Sequence, residues 1–138
     1  MILVETSAWI EYDRDTGSDV ARRLGELIES GASIACSDPI LMEILAGARN
    51  DAAAKDLQRL LTSFSWIPTE STSDFESAAR IYRLCRATGH TPRGMIDCLI
   101  AAIALRSGAT LLTTDRDFVA IAQVFPLRFD LPAHGDRS

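Results

Sequence analysis

A chain of 138 residues, 47% hydrophobic and 24% charged, carries the apolar material of one globular domain and is too short for a second full one. With 14 basic against 19 acidic residues its net charge is −5, which excludes a protein that holds a polyanion by bulk positive charge. No stretch of about 18 uninterrupted apolar residues occurs, and the opening Met1-Ile2-Leu3-Val4 run meets Glu5 at once. Neither a membrane span nor a signal peptide is therefore expected, and the protein is expected in the cytoplasm. Cys36, Cys85 and Cys98 are odd in number, far apart and set among small or apolar neighbours, so they read as core filler and not as a disulfide framework or thiolate metal site.

Ile2-Leu3-Val4 is a short β-favouring run, and Thr6 or Ser7 can cap the helix suggested by residues 8–12. Asp15-Thr16-Gly17-Ser18 is turn chemistry, followed by Val20, Leu24, Leu27 and Ile28 at helical spacing until Gly31. Residues 33–36 suit a second strand. Asp38-Pro39 then reads as an N-cap with proline at the first helical position, opening a helix over 40–46 that stops between Gly47 and Asn50. A helix over 52–62 leads to a brief strand over 64–67, closed by Pro68.

Ser73-Asp74-Phe75-Glu76 has capping-box spacing and should start a helix through Arg86, which Gly89 to Pro92 then breaks. Residues 93–105 are apolar nearly all round, the mark of the most buried helix, and Gly108 is placed to end it. Residues 110–113 make a strand that delivers Asp115-Arg116-Asp117 at its C-terminal end, and 124–129 is expected as a last edge strand. Strands alternating with helices indicate an α/β domain with a mainly parallel sheet over residues 1–130, leaving 131–138 as a frayed tail. Ligands of such sheets gather beyond the carboxyl ends of the strands, where strand order reverses. Glu5 and Asp115 both follow strand ends.

Four acids occupy positions where a carboxylate is costly. Glu5 ends the first strand, Glu43 interrupts Ile40-Leu41-Met42 and Ile44-Leu45, Asp97 falls between Met95-Ile96 and Cys98-Leu99-Ile100, and Asp115 follows Leu111-Leu112-Thr113-Thr114. Unpaired burial of such charges costs several kcal/mol or raises their pKa values, so a shared cation is expected. One arginine serves four acids poorly. An all-oxygen, carboxylate-rich set without His or Cys points to Mg²⁺ or Mn²⁺ and away from Zn²⁺. Each acid also has a local alternative: Glu5 could cap the first helix, Glu43 could pair with Arg49 or another arginine, Asp97 lies four residues after Arg93, and Asp115 and Asp117 stand at a strand-to-helix turn where caps are common.

The ordered set Ile2-Leu3-Val4-Glu5-Thr6-Ser7-Ala8-Trp9-Ile10, Met42-Glu43-Ile44, Arg93-Gly94-Met95-Ile96-Asp97-Cys98-Leu99-Ile100-Ala101-Ala102 and Thr113-Thr114-Asp115-Arg116-Asp117-Phe118 resembles the PIN-domain ribonucleases, and more narrowly the VapC toxins of VapBC toxin–antitoxin modules. The resemblance implies a three-layer α/β/α sandwich and a Mg²⁺- or Mn²⁺-dependent endoribonuclease cutting a tRNA or ribosomal RNA loop. It also implies a VapB-type antitoxin as partner and a homodimer assembling further with it. Carried across, Glu43, Asp97 and Asp115 match the family's metal-binding acids, Asp117 an accessory acid, and Thr6 or Ser7 the hydroxyl beside the metal. Arg93 is expected to contact the scissile phosphate or to steady the acids.

Position 5 departs from the family pattern, which has aspartate as first ligand where this chain has Glu5. The longer arm predicts a weakened enzyme, and an impaired PIN domain that binds antitoxin or RNA without cutting is the rival expectation. A phosphatase of the aspartyl-phosphate type would need an aspartate nucleophile with a second acid two residues on, and a receiver domain a lysine after a late strand. Glu5-Thr6-Ser7 and the lone Lys55 supply neither. The remaining 13 cations are arginines, suited to bidentate phosphate contacts, although genome composition produces the same bias. Arg80, Arg83 and Arg86 are spaced as a solvated helix face or as a local phosphate rail.

Overall fold

The computed structural model describes residues 1–131. The elements in chain order are β1 (Ile2–Val4), α1 (Thr6–Asp13), α2 (Asp19–Glu29), β2 (Ile34–Ser37), α3 (Asp38–Ala46), α4 (Asp51–Thr62), β3 (Ser65–Ile67), α5 (Ser73–Ala87), α6 (Met95–Ser107), β4 (Thr110–Leu112) and α7 (Arg116–Ala122). The four strands pair in the order β3-β2-β1-β4, every pairing parallel. Helices flank this sheet in the α/β/α arrangement expected from the sequence. Both faces are thereby covered, which is why Leu3, Val4, Ala35, Cys36, Leu111 and Leu112 are fully buried and read as continuous apolar runs. α6 is the central helix, with Cys98 and residues 100–104 all buried.

Strand order reverses at β1, with β2 on one side and β4 on the other. The register Val4↔Leu112 sets Glu5 beside Thr113 where the two strands end, and the Glu5 amide donates to Leu112 O at 3.0 Å. The switch point is thus where two polar residues leave a hydrophobic sheet together.

Several expectations are corrected. The first helix is capped by Glu5, whose side chain accepts from the Ser7 amide, and not by Thr6 or Ser7. Ser37 is the cap residue of α3. The Asp38 carboxylate is drawn instead to Trp66 Nε1 (3.0 Å) and the Thr69 amide (2.8 Å), contacts 28 and 31 residues away. No capping box forms at α5: Thr72 takes the cap position with φ +67°, without a side-chain cap bond. α6 begins at Met95, two residues after the expected start, because Arg93 is held by Asp117. Residues 124–129 make no strand. Pro126 interrupts them, and a single parallel bridge, Leu111↔Phe129, remains. α7 precedes them, a helix the sequence reading did not delimit. Residues 132–138, most of the expected frayed tail, lie outside the described residues.

Candidate active site

The carboxyl ends of β1 and β4 and the first turns of α1, α6 and α7 converge. Glu5 leaves β1 fully enclosed, 3% exposed. Its Oε1 accepts from the Ser7 amide (3.1 Å), Ser7 Oγ (2.5 Å) and Thr113 Oγ1 (2.6 Å). Asp97 stands in the first turn of α6, where a helix N-terminus favours a negative charge. Asp115 caps α7, its Oδ1 accepting from the Asp117 amide at 2.9 Å, and its own amide donates to Thr113 Oγ1 at 2.9 Å. One carboxylate oxygen from each of Glu5, Asp97 and Asp115 lies within 4.8 Å of the others.

Glu43 and Asp117 stand outside that trio but line the same open cavity, with Arg93, Gly94, Met95, Ile96, Asp97 and Asp115. Thr6 Oγ1 donates to Glu43 Oε1 at 2.6 Å across 37 residues of chain, tying the middle of α3 to the first turn of α1. Asp117 is held by Arg93 twice, through the backbone amide (3.1 Å) and Nε (3.1 Å). Arg93 Nη2 reaches Asp115 Oδ1 at 3.3 Å. The expected i,i+4 alternative for Asp97 is therefore not taken up by Arg93, which steadies the other two aspartates. Among the described residues Glu5 and Asp97 have no ion-pair partner.

Burial first, and crowding by like charge second, set the protonation of these acids. Burial, a hydrogen bond shared with Asp117 and the charges of Asp115, Asp117 and Glu5 together push the Asp97 carboxyl up to about 8. Burial likewise raises Glu5, against the hydrogen bonds from Ser7 and Thr113. Three converging oxygens of hard, anionic character with too little cation around them fit a divalent ion of the Mg²⁺ or Mn²⁺ type. Thr113 is the residue the sequence reading missed. Its signal was a hydroxyl directly after Leu111-Leu112 at a strand end, 4% exposed, which must find an acceptor when buried.

The family model for the PIN domain matches residues 2–124. The chain belongs to the PIN-domain family. The ribonuclease VapC11 of Mycobacterium tuberculosis is 45% identical over 129 residues, 93% of this chain and 96% of that protein. The ribonuclease VapC19 of the same organism is 36% identical over 118 residues, 83% and 89% of the two chains. Among solved structures, VapBC2 from Rickettsia felis bound to a promoter DNA fragment superposes with a TM-score of 0.72 over 94% of this chain and 98% of that one, at 21% identity. The fold of this PIN domain is thus shared well beyond the range of close sequence likeness. No helix among its described residues is long and apolar enough to cross a membrane.

Proposed function

We propose that this PIN domain is the toxin of a type II toxin–antitoxin pair, an endoribonuclease that hydrolyses RNA phosphodiester bonds with Mg²⁺ or Mn²⁺ held by Glu5, Asp97 and Asp115. The observation that carries the proposal is the convergence of those three carboxylates with no cation paired to Glu5 or Asp97 among the described residues. A bound divalent ion would supply Lewis acidity toward a phosphate oxygen and toward a water. Glu43, pinned through Oε1 by Thr6, keeps Oε2 to accept a proton from the attacking water. Asp117 fixes Arg93 at the mouth, where a 78% exposed guanidinium can orient the scissile phosphate. Ser7 and Thr113 hold Glu5 in one rotamer and so set the first acid's position.

A tRNA or ribosomal RNA loop is the substrate class, the cytoplasm the working compartment, and a homodimer the unit that joins the antitoxin. A cleft of about 130 Å³ between α1, α3 and α4, lined by Trp9, Ile10, Ile44, Leu57 and Leu60 with Glu43 at its edge, suits an apolar segment of a VapB-type partner. A basic side chain of that partner would lie among the acids. Trp9 itself is a core residue, 3% exposed and packed on Tyr12 and Phe64. The rival reading, an impaired binder of antitoxin or RNA, is favoured by one observation: Glu5 Oε1 already accepts three hydrogen bonds. Mg²⁺-dependent cleavage of a total-RNA panel, with cut sites mapped and Asp97→Asn as control, decides. Specific cuts lost in the variant support the enzyme, and no cutting by the unmodified protein supports the rival.

A further inference from the structure

The acid cluster repels the polymer it is proposed to cut, so the flanking phosphates need a cationic surface elsewhere. Arg106, in the last turn of α6, grips Asp74 in the first turn of α5 through Nε and Nη2, both at 2.9 Å. α5 and α6 therefore run antiparallel, and the C-terminal turns of α5 stand beside the first turn of α6, where Asp97 is. Arg80, Arg83 and Arg86 occupy this half of α5, three residues apart and all exposed. Each step of three advances about 4.5 Å along the helix. The stripe starts near the acids and leads away from them.

Two further properties mark the stripe. None of the three arginines has an acid within ion-pair distance among the described residues, a state they share with Arg14, Arg49 and Arg128, whereas Arg22, Arg23, Arg59, Arg93 and Arg106 are all paired. Arg80 lies over the Phe125 ring at 6.0 Å and Arg86 over Tyr82 at 5.7 Å. Stacking restrains a guanidinium by its face while leaving its N–H edge open, a favourable state for meeting a phosphate. A shallow groove lined by Glu76, Ser77, Ala79, Arg80 and Arg83 adjoins the first two of the three arginines.

We propose that the outward stripe Arg80, Arg83 and Arg86 on α5 is the track along which the backbone of the RNA strand is held as it enters the acid cluster. The proposal rests on the ribonuclease reading for its ligand but acts on binding and not on the chemical step. It is tested with the full chain by fluorescence anisotropy of a labelled, mixed-sequence, single-stranded 20-nucleotide RNA, together with single-turnover cleavage of an RNA found in the panel. The variants are the triple R80Q/R83Q/R86Q, its counterpart with lysine at the same three positions, and the charge-matched control R22Q/K55Q/R59Q.

The glutamine triple should weaken RNA binding about tenfold or more and lower the slope of log affinity against log salt by about 2, at roughly 0.7 per phosphate contact. The maximal cleavage rate and the melting temperature should hold. The lysine triple should recover most of the affinity, and the control should match the unmodified protein. Unchanged affinity and slope in the glutamine triple would overturn the track, as would an equal loss in the control, which would reduce the effect to net charge. A loss of antitoxin binding with RNA binding intact would also overturn it, assigning the face to the protein partner. RNA binding that follows the predicted pattern without any cutting would retain the track and remove the enzyme.

Discussion

Two sites in this molecule bury acids, and they treat them in opposite ways. Asp74, 2% exposed, is gripped at both oxygens by Arg106 and also accepts from the Glu70 amide at 2.8 Å. Burial pushes its carboxyl up, but the Arg106 and Glu70 bonds outweigh that and hold it below the usual range. Glu5 and Asp97 are driven above it, by burial first and by neighbouring like charge after it, with no paired cation among the described residues. A structural acid arrives with its counter-charge built into the fold. The acids at the switch point are left short of one, and that shortage is the signature of a site completed from outside.

The sharpest break in this contrast is in catalysis. Asp97→Asn should lower single-turnover cleavage by at least about 10²-fold, the scale of a misplaced reacting group, while the melting temperature measured without metal holds or rises. Asp74→Asn should do the reverse. Removing the Asp74 charge leaves Arg106 with only the exposed Glu70 carboxylate and the Pro68 carbonyl and costs about 2 kcal/mol, or about 7 °C in melting temperature at this size, with the rate on folded protein kept. Thermal melts and rate measurements on the same two preparations check both. If either variant shows the other's pattern, the division between structural and functional acids is wrong.

Glu5→Asp sharpens the contrast within the acid cluster. The extra methylene of glutamate, roughly 1.5 Å, is absorbed by turning Oε1 back onto Ser7 and Thr113, which commits half of the carboxylate. An aspartate should release it toward Asp97 and Asp115 and raise cleavage about tenfold at matched Mg²⁺. Equal or lower activity would mean that the site is built around glutamate.

The smallest effect is on stability against pH. With Asp97 and Glu5 raised in the folded state, the native chain holds protons that the unfolded chain has lost between about pH 4 and 8. Metal-free protein should therefore lose a few degrees of melting temperature from pH 5 to 8, and Asp97→Asn should flatten that decline. Asp74 is lowered, so its contribution is present above about pH 4 and is lost on acidification. A metal-free melting temperature that rises from pH 5 to 8 would count against the charge shortage.

The layered fold was legible because buried parallel strands leave unmistakable apolar runs: Ile2 to Val4, Ile34 to Cys36 and Leu111-Leu112 all came through within a residue or so. The acids were legible for the complementary reason, as charges interrupting such runs. What did not come through depends on contacts remote in sequence. Asp38, expected as the cap of α3, lies one residue inside it and turns to Trp66 and Thr69, and Arg93 stays out of α6 because Asp117, 24 residues on, holds it. Local spacing is blind to such competitors. It also could not say that Glu43 would be tied to Thr6 while Glu5, Asp97 and Asp115 draw within 4.8 Å. The failed edge strand had a visible warning in Pro126, since proline removes a donor from any ladder.

Among the described residues Glu5 and Asp97 have no paired cation and Asp115 shares Arg93 with Asp117, a deficit that a divalent ion is expected to fill. That expectation is tested most directly by titrating Mg²⁺ and then Mn²⁺ into metal-free protein at pH 8 and following the melting temperature, since an ion that binds only the native state stabilises it by mass action. A saturating rise of several degrees is expected by millimolar metal, undiminished in Asp74→Asn and absent in Asp97→Asn. No rise in the unmodified protein, or an equal rise in Asp97→Asn, would contradict it.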